Sequence, residues 1–228
     1  MRQYGYDIGM EFCMTEFASI KLLVVDDHTV VREGIKSITS TTSDIAVVGE
    51  AASGIEAIRL SRLHDYKVML LDIALSDKNG IEVLKQIKAE KPEVQILMFS
   101  IYREDQYAIR SLKAGASGYL NKQCSKDDIL NAIRQVAGGL KYISPQLAQE
   151  LANNLSQEHE DALHKTLSDR EFQTMTMIAS GKSVSDIAKD LSLSVKTISE
   201  YRSRILLKMK LRHNAELTHY AIKNQLVD

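Results

Sequence analysis

Residues 22–28 read LLVVDDH. Four consecutive apolar residues, Leu22 to Val25, end abruptly in two adjacent carboxylates, Asp26 and Asp27. A run this short, this rich in Val and Leu and this unbroken reads as a strand buried on both faces, as in a parallel sheet. Similar runs recur at KLLVV (21–25), IAVVGEA (45–51), VMLLDI (68–73), QILMFS (95–100) and GYLNK (118–122). Between them apolar residues fall at helical spacing: Val30, Val31, Gly34, Ile35 and Ile38, then Ile81, Leu84 and Ile87, then Ile129, Ile133 and Val136. Five strands alternating with five helices between residues 21 and 137 predict a doubly wound α/β domain on a five-stranded parallel sheet.

Beyond that domain the pattern changes. Gly138-Gly139 breaks the fifth helix, Ser144-Pro145 can start another, and the stretch through His159 is polar. This reads as a partly helical linker over 139–164. From residue 166 onward no strand candidate remains. Ser168 with Glu171 three residues later forms a capping-box pattern, and the helix it opens runs to about Ser180, closed by Gly181. A short helix follows from Ser183 to about Asp190. After LSLS a longer one runs from Val195 to about Met209, and a last one spans about Asn214 to Lys223. Two of these four helices, joined by a tight turn, match a helix-turn-helix. The division expected is a leader over 1–19, an α/β domain over 20–138, the linker, and an all-α domain over 165–228.

Composition narrows the classes. The 228 residues are 44% hydrophobic and 26% charged, ordinary for a soluble globular chain. No stretch approaches the roughly 18 consecutive apolar residues of a membrane span. The first twenty residues mix charges with aromatics and do not read as a secretory signal. They resemble a poorly ordered leader, with Met10 and Met14 as alternative starts. Cys13 and Cys124 give neither a disulfide framework nor a zinc spacing, which points to a reducing cytoplasm. The net charge of −1 hides an asymmetry. Residues 161–228 carry eleven Lys/Arg against eight Asp/Glu, the remainder eighteen against twenty-two, and 196–212 hold six basic residues and one acid. An acidic front and a locally basic tail imply different partners.

In an open parallel sheet, ligands bind at the carboxyl ends of the strands. Just there lie Asp26 and Asp27 after the first strand, Asp72 after the third, Ser100 after the fourth and Lys122 after the fifth. Any one of them taken singly is an ordinary turn, cap or solvated residue; their joint placement is not. Two carboxylates about 4 Å apart repel by roughly 4 kcal/mol at an effective dielectric of about 20. A hard divalent cation relieves that repulsion, and few carboxylates plus water and phosphate oxygens suit Mg²⁺. Asp72 can then act as a carboxylate nucleophile toward a phosphoryl group. Asp26 and Asp27 hold the metal, Lys122 meets a phosphate oxygen, and Ser100 hydrogen-bonds another.

At VVDDH (24–28), LLDIALSDKNG (70–80), MFS (98–100) and AGASGYLNK (114–122) the chain resembles the receiver domain of two-component response regulators, a flavodoxin-like fold. The resemblance implies that Asp72 is the phosphoacceptor and that Asp26 and Asp27 bind Mg²⁺ with the backbone carbonyl of Ala74. It also implies that Ser100 is the switch hydroxyl, that Lys122 contacts the phosphoryl group, and that Tyr119 is the switch aromatic, rotating inward as Ser100 moves. The residues read by themselves favour a half-buried strand tyrosine at 119. Where the family has Met-Pro after the acceptor, this chain has Leu75-Ser76, and loss of that proline is expected to loosen the loop. Gly80 stands where the family expects it. Tyr102, two residues after Ser100, is bulky enough to shield a phosphoryl group from water. His28 reads as a neutral loop histidine.

In the helix 195–209, Val195, Ile198, Ile205 and Met209 form a core-facing stripe. The opposite side carries Lys196, Ser199, Glu200 and Ser203, flanked by Arg202, Arg204 and Lys208. That is the layout of a recognition helix, with polar side chains for base edges and basic ones for phosphates. A solvated amphipathic helix is the plainer alternative. Residues 167–211 resemble the LuxR-type helix-turn-helix, and receiver plus this domain is similar to the NarL/FixJ family. YISPQLAQELA (142–152) and the ELTHYAIKNQLVD ending resemble its GacA/UvrY-type branch. The resemblance adds Thr197 to the residues facing DNA. It implies a sensor histidine kinase as donor, double-stranded promoter DNA as target and a homodimer when phosphorylated, paired through Leu217, Tyr220 and Ala221 of the last helix. It implies a cytoplasmic transcription factor with no membrane partner, and not an enzyme. Two alternatives stand beside it. A phosphatase with an aspartate nucleophile would need a second acid at position 74, where Ala74 stands, and a DNA-binding regulator that works without phosphorylation would leave the acidic residues unexplained.

Overall fold

The computed structural model describes residues 19–102, 104–145, 147–149 and 163–227. Most of the expected leader therefore lies outside the described residues, as does the middle of the linker. The α/β unit runs β1 (Ile20–Val25), α1 (Thr29–Thr39), β2 (Ile45–Ala51), α2 (Gly54–Leu63), β3 (Val68–Leu71), α3 (Gly80–Glu90), β4 (Gln95–Ser100), α4 (Glu104–Lys113), β5 (Gly118–Asn121) and α5 (Lys126–Ala137). All four strand pairings are parallel, in the order β2-β1-β3-β4-β5. The order reverses between β1 and β3, and a crevice opens at the carboxyl ends of the strands beside such a switch point. Asp26 and Asp72 follow those two strands.

The unbroken apolar runs are explained by burial on both sides. Leu23, Val25, Met69 and Leu71 face Ile58, Ile81 and Leu84 on one side of the sheet. Leu22, Val24, Val68 and Leu70 face Ile35, Ile129 and Ile133 on the other. Each such side chain contributes about 1.5–3 kcal/mol by leaving water. At the β2 edge the register slips opposite Leu22 and Leu23, and Val48 is left exposed. Val30 departs from the expected stripe: it lies in the first turn of α1 and is 84% exposed.

The C-terminal unit opens with a 3₁₀ turn (Leu163–Thr166) and continues with α6 (Asp169–Ala179), α7 (Val184–Asp190), α8 (Val195–Lys208) and α9 (Asn214–Lys223). The capping box is present: the Ser168 side chain accepts from Glu171 N, and the Glu171 carboxylate accepts from Ser168 N. Ser183 and Ser194 cap α7 and α8 through their hydroxyls alone, accepting from Asp186 N and Thr197 N. Ile198, Ile205 and Met209 are fully buried, whereas Val195 is half exposed. Leu217 and Ala221 are also buried in this unit, so of the three residues expected to pair two copies only Tyr220 is partly exposed, its hydroxyl 3.0 Å from His164 Nδ1. The outward residues of α9 are Ala215, His219, Ile222 and Lys223.

In the linker, Ser144 Oγ accepts from Leu147 N at 3.1 Å, capping a helix that begins at Pro145.

Candidate functional site

Asp26, Asp27, His28 and Asp72 each offer a ligand atom, and those atoms lie within 4.8 Å of one another. Asp26 and Asp72 are almost wholly buried at 1% and 2% exposure, because each follows a central strand directly. Lys122, following β5, reaches over both: its Nζ stands 2.8 Å from Asp72 Oδ2 and 2.5 Å from Asp26 Oδ2. The carboxylate repulsion expected of an empty site is thus partly met by an internal ammonium. Burial raises the Asp72 carboxyl above its ordinary range, against the pull of Lys122. Burial alone would lower the Lys122 ammonium, but Asp72 and Asp26 outweigh it and hold the lysine charged.

Asp72 Oδ1 has no hydrogen-bond partner. A buried carboxylate oxygen left without one costs free energy until a donor or cation arrives. Three carboxylates around such an oxygen fit a hard, oxygen-seeking divalent cation. His28, which follows the two aspartates in sequence, joins this site. Its backbone N donates to Asp26 Oδ1 at 2.9 Å, which folds the ring back so that Nδ1 lies 2.8 Å from Asp27 Oδ1.

The loop after Asp72 is tied down at several points despite Leu75-Ser76. Leu75 is fully buried. The Asp77 carboxylate accepts from Gly54 N at 2.8 Å and Ile55 N at 2.9 Å, pinning the loop to the first turn of α2. Asn79 Oδ1 accepts from Ile81 N at 2.8 Å, capping α3. At Gly80 a Cβ would overlap the carbonyl oxygen of Asp72 and stand 2.8 Å from the Cα of Ile73. Hydrogen bonds and one missing side chain do here what proline does by stiffness.

Ser100 ends β4 fully buried, its Oγ unpartnered. Tyr119 is not half-buried; it lies inside at 1% exposure, and its hydroxyl donates to the Tyr102 carbonyl at 2.8 Å. Burial holds that hydroxyl well above its ordinary pKa. The inward position expected after a switch is therefore already occupied. Tyr102 is engaged elsewhere: its ring stacks on Tyr107, centroids 4.6 Å apart, and its hydroxyl meets Gln173 of α6.

That last contact belongs to a docking surface that the sequence did not announce. Every residue of α6 is buried, polar ones included. One face packs on α8 and α9; the other lies on the α/β unit, over α3, α4 and the loops beside Asp72. Phe172 sits edge-on to Tyr107 and under the Arg110 guanidinium. Arg110 also donates to the His164 carbonyl at 2.7 Å and the Leu167 carbonyl at 3.1 Å. Lys85 pairs with Asp169 at 2.7 Å. A signal was present in DREFQTMTMIA, which after its first turn carries no charge to face water.

On α8, Lys196, Ser199, Glu200, Ser203 and Arg204 are exposed and Thr197 is partly so. The docked unit leaves this side open. Arg202 and Lys208 are not free, however. Arg202 Nε donates to Asn214 Oδ1 at 2.6 Å, and Lys208 Nζ donates to the buried Glu171 carboxylate at 2.6 Å. Both brace the domain, Arg202 half-buried and Lys208 still exposed.

An acidic pocket at a parallel-sheet switch point, joined to a capped helix-turn-helix, defines a phosphorylation-type receiver carrying a DNA-binding unit. Residues 22–134 match the family described as response regulator receiver domain, and residues 165–221 that of bacterial regulatory proteins, luxR family. The chain belongs to the two-component response regulators of the NarL/FixJ family, which are transcriptional regulators and not enzymes. It is 36% identical over 208 residues to response regulator UvrY of Escherichia coli, covering 91% of this chain and 95% of that protein. It is also 36% identical over 210 residues to response regulator GacA of Pseudomonas aeruginosa, covering 92% and 98%. Among solved structures, RcsB of Salmonella enterica bound to promoter rprA with a phosphomimetic shares the fold at TM-score 0.62 and 24% identity, covering 89% of this chain and 98% of that one. Among the described residues no helix is long and apolar enough to cross a membrane.

Proposed function

We propose that Asp72 accepts a phosphoryl group from a sensor histidine kinase, and that the acyl phosphate so formed governs dimerisation and promoter binding in the cytoplasm. The observation that carries this is the buried, unpartnered Asp72 Oδ1 beside the Lys122 ammonium. In the transfer an Asp72 oxygen bonds to phosphorus while the phosphorus–nitrogen bond of the donor histidine breaks, its electrons returning to the ring. Mg²⁺, held by Asp26, Asp27, Asp72 and the Ala74 carbonyl, would supply positive charge to the phosphoryl oxygens. Lys122 lies close enough to turn its ammonium to a phosphoryl oxygen, and Ser100 Oγ would meet another once the chain after β4 shifts. Because Tyr119 is already inside, the switch lies in the β4–α4 loop and not in a large swing of the ring.

Lys196, Thr197, Ser199, Glu200, Ser203 and Arg204 would face DNA, on a two-fold site presented by a homodimer. The chain then divides into a leader over 1–19, a receiver over 20–138, a linker over 139–164 and the output domain over 165–228. The test treats the full chain with Mg²⁺ and beryllofluoride and measures sedimentation and promoter binding. Wild type should dimerise and bind more tightly, and Asp72→Asn should not respond. Equal behaviour of the two would overturn the assignment.

A further inference from the structure

Gln173 belongs to α6 of the output domain, yet its side chain ends between the two loops that frame Asp72. Its Oε1 accepts from Asn79 Nδ2 at 3.0 Å and from Arg170 Nη1 at 2.8 Å, while its Nε2 donates to Tyr102 Oη at 3.2 Å. Gln173 and Asn79 are both fully buried. Asn79 closes the loop that follows Asp72 and caps α3. Tyr102 stands two residues beyond Ser100, and its carbonyl accepts from the Tyr119 hydroxyl at 2.8 Å and from Asn121 Nδ2 at 3.3 Å. One amide of the second domain therefore ties the β3–α3 loop to the β4–α4 loop. Arg170 adds a long contact to the Leu75 carbonyl at 3.5 Å.

We infer that Gln173 is a positioning residue of the acidic site, supplied by the DNA-binding domain, and that it holds the two loops in their unphosphorylated geometry. The inference rests on Asp72 being the phosphoacceptor. For Ser100 Oγ to reach a phosphoryl oxygen, the chain after β4 must shift, and Tyr102 shifts with it. Its hydroxyl cannot follow while bound to Gln173 and while its ring lies on Tyr107. Docking of α6 and occupancy of Asp72 thus oppose each other, and the opposition is reciprocal by linkage. A Gln173 at an interface uncoupled from the pocket would leave the pocket's affinity unchanged, and one that acted only through docking would not show the shared effect with Tyr102 that a common linkage requires.

The test titrates the full chain with beryllofluoride at fixed Mg²⁺ by calorimetry. Gln173→Met keeps the length and removes both loop contacts, Tyr102→Phe removes only the hydroxyl, and Gln173→Glu can accept from Asn79 and from the Tyr102 hydroxyl together. Gln173→Met should bind about tenfold more tightly than wild type and Tyr102→Phe about threefold, as expected for one or two hydrogen bonds lost from the opposing state. The double variant should bind no more tightly than Gln173→Met, because both remove one linkage. Gln173→Glu should restore most of the wild-type affinity. Equal or weaker binding by Gln173→Met, or two effects that multiply, overturns the inference while leaving Asp72 in place. A wild type that takes up no beryllofluoride, or an Asp72→Asn variant that does, overturns the phosphoacceptor and the inference together.

Discussion

The Lys122 ammonium stands 2.8 Å from the Asp72 carboxylate, so the residue that would receive phosphate already has a cationic partner. That partner also bridges to Asp26. Lys122→Met leaves two buried carboxylates facing each other, and removing one side of a buried pair is costly. We expect a loss of about 2 kcal/mol without divalent ions, less than for a sealed pair because the mouth is wet. Urea unfolding with and without Mg²⁺ checks this: the ion should rescue the variant more than it rescues wild type.

Mg²⁺ should raise the melting temperature of the wild-type chain, since a ligand that binds the folded state stabilises it. The gain will be reduced by the need to displace Lys122 from the carboxylates. Asp27→Ala, at the exposed side of the cluster, should abolish most of it while leaving the ion-free melt nearly unchanged. A variant that retained the full gain would remove Asp27 from the metal site.

Gly80→Ala places a Cβ against the peptide that joins Asp72 to Ile73. Backbone cannot swing aside as a flexible side chain can, so we expect a loss of about 3 kcal/mol, toward the upper end for overpacking. Phosphodonor labelling of Asp72 should fall with it. Unchanged unfolding would mean that the β3–α3 crossing relaxes freely.

His164 is a source of pH sensitivity at the joint between the domains. Burial pushes its imidazole down to about 4 from the ordinary 6.5, with Arg110 and Lys165 adding to the effect. The unfolded chain takes up this proton below about pH 6.5 and the folded chain does not. Stability is therefore intact above 6.5 and declines as pH falls toward 4. The partly exposed ring reduces the effect to about 1 kcal/mol at pH 5. His164→Gln should flatten the dependence of the melting temperature between pH 7 and 5.

Arg204 and Arg202 should separate cleanly. Arg204→Ala removes an exposed cation from α8 and should weaken binding to all sequences, flattening the salt slope by about one unit. Arg202→Ala breaks the bond to Asn214 and should lower the melting temperature of the output domain by more than it lowers the salt slope.

Much of this was readable beforehand. Strands buried on both faces must be apolar throughout, so the point where LLVV gives way to Asp26 marks a strand end, and parallel strand ends gather on one edge. Ser168, Ser183 and Ser194 announced their helices because capping is local chemistry. What stayed hidden depends on tertiary approach. Asp77 reaches across 23 residues to Gly54, and Gln173 reaches across 94 residues to Asn79. No local pattern states either distance. The partners of Lys208 and Arg202 within the domain, Glu171 and Asn214, were hidden too, because composition shows charge but not what it meets. Leu217 and Ala221 looked like a dimer face, since a helix carries an apolar stripe whether it meets its own domain or another copy.

The polar residues mixed into the face of α6 set how often the molecule can be used. An apolar joint of the same extent would close once and stay closed, because parting it would expose oil to water. Here Asp169, Arg170, Gln173 and Thr176 have bonded partners across or beside the joint, and each can exchange those partners for water when the domains separate. The bonds lost on opening are thus replaced rather than forfeited, and the aromatic contacts of Phe172 and Tyr107 favour reclosing, so the same copy can return to rest and serve the next signal without being resynthesised.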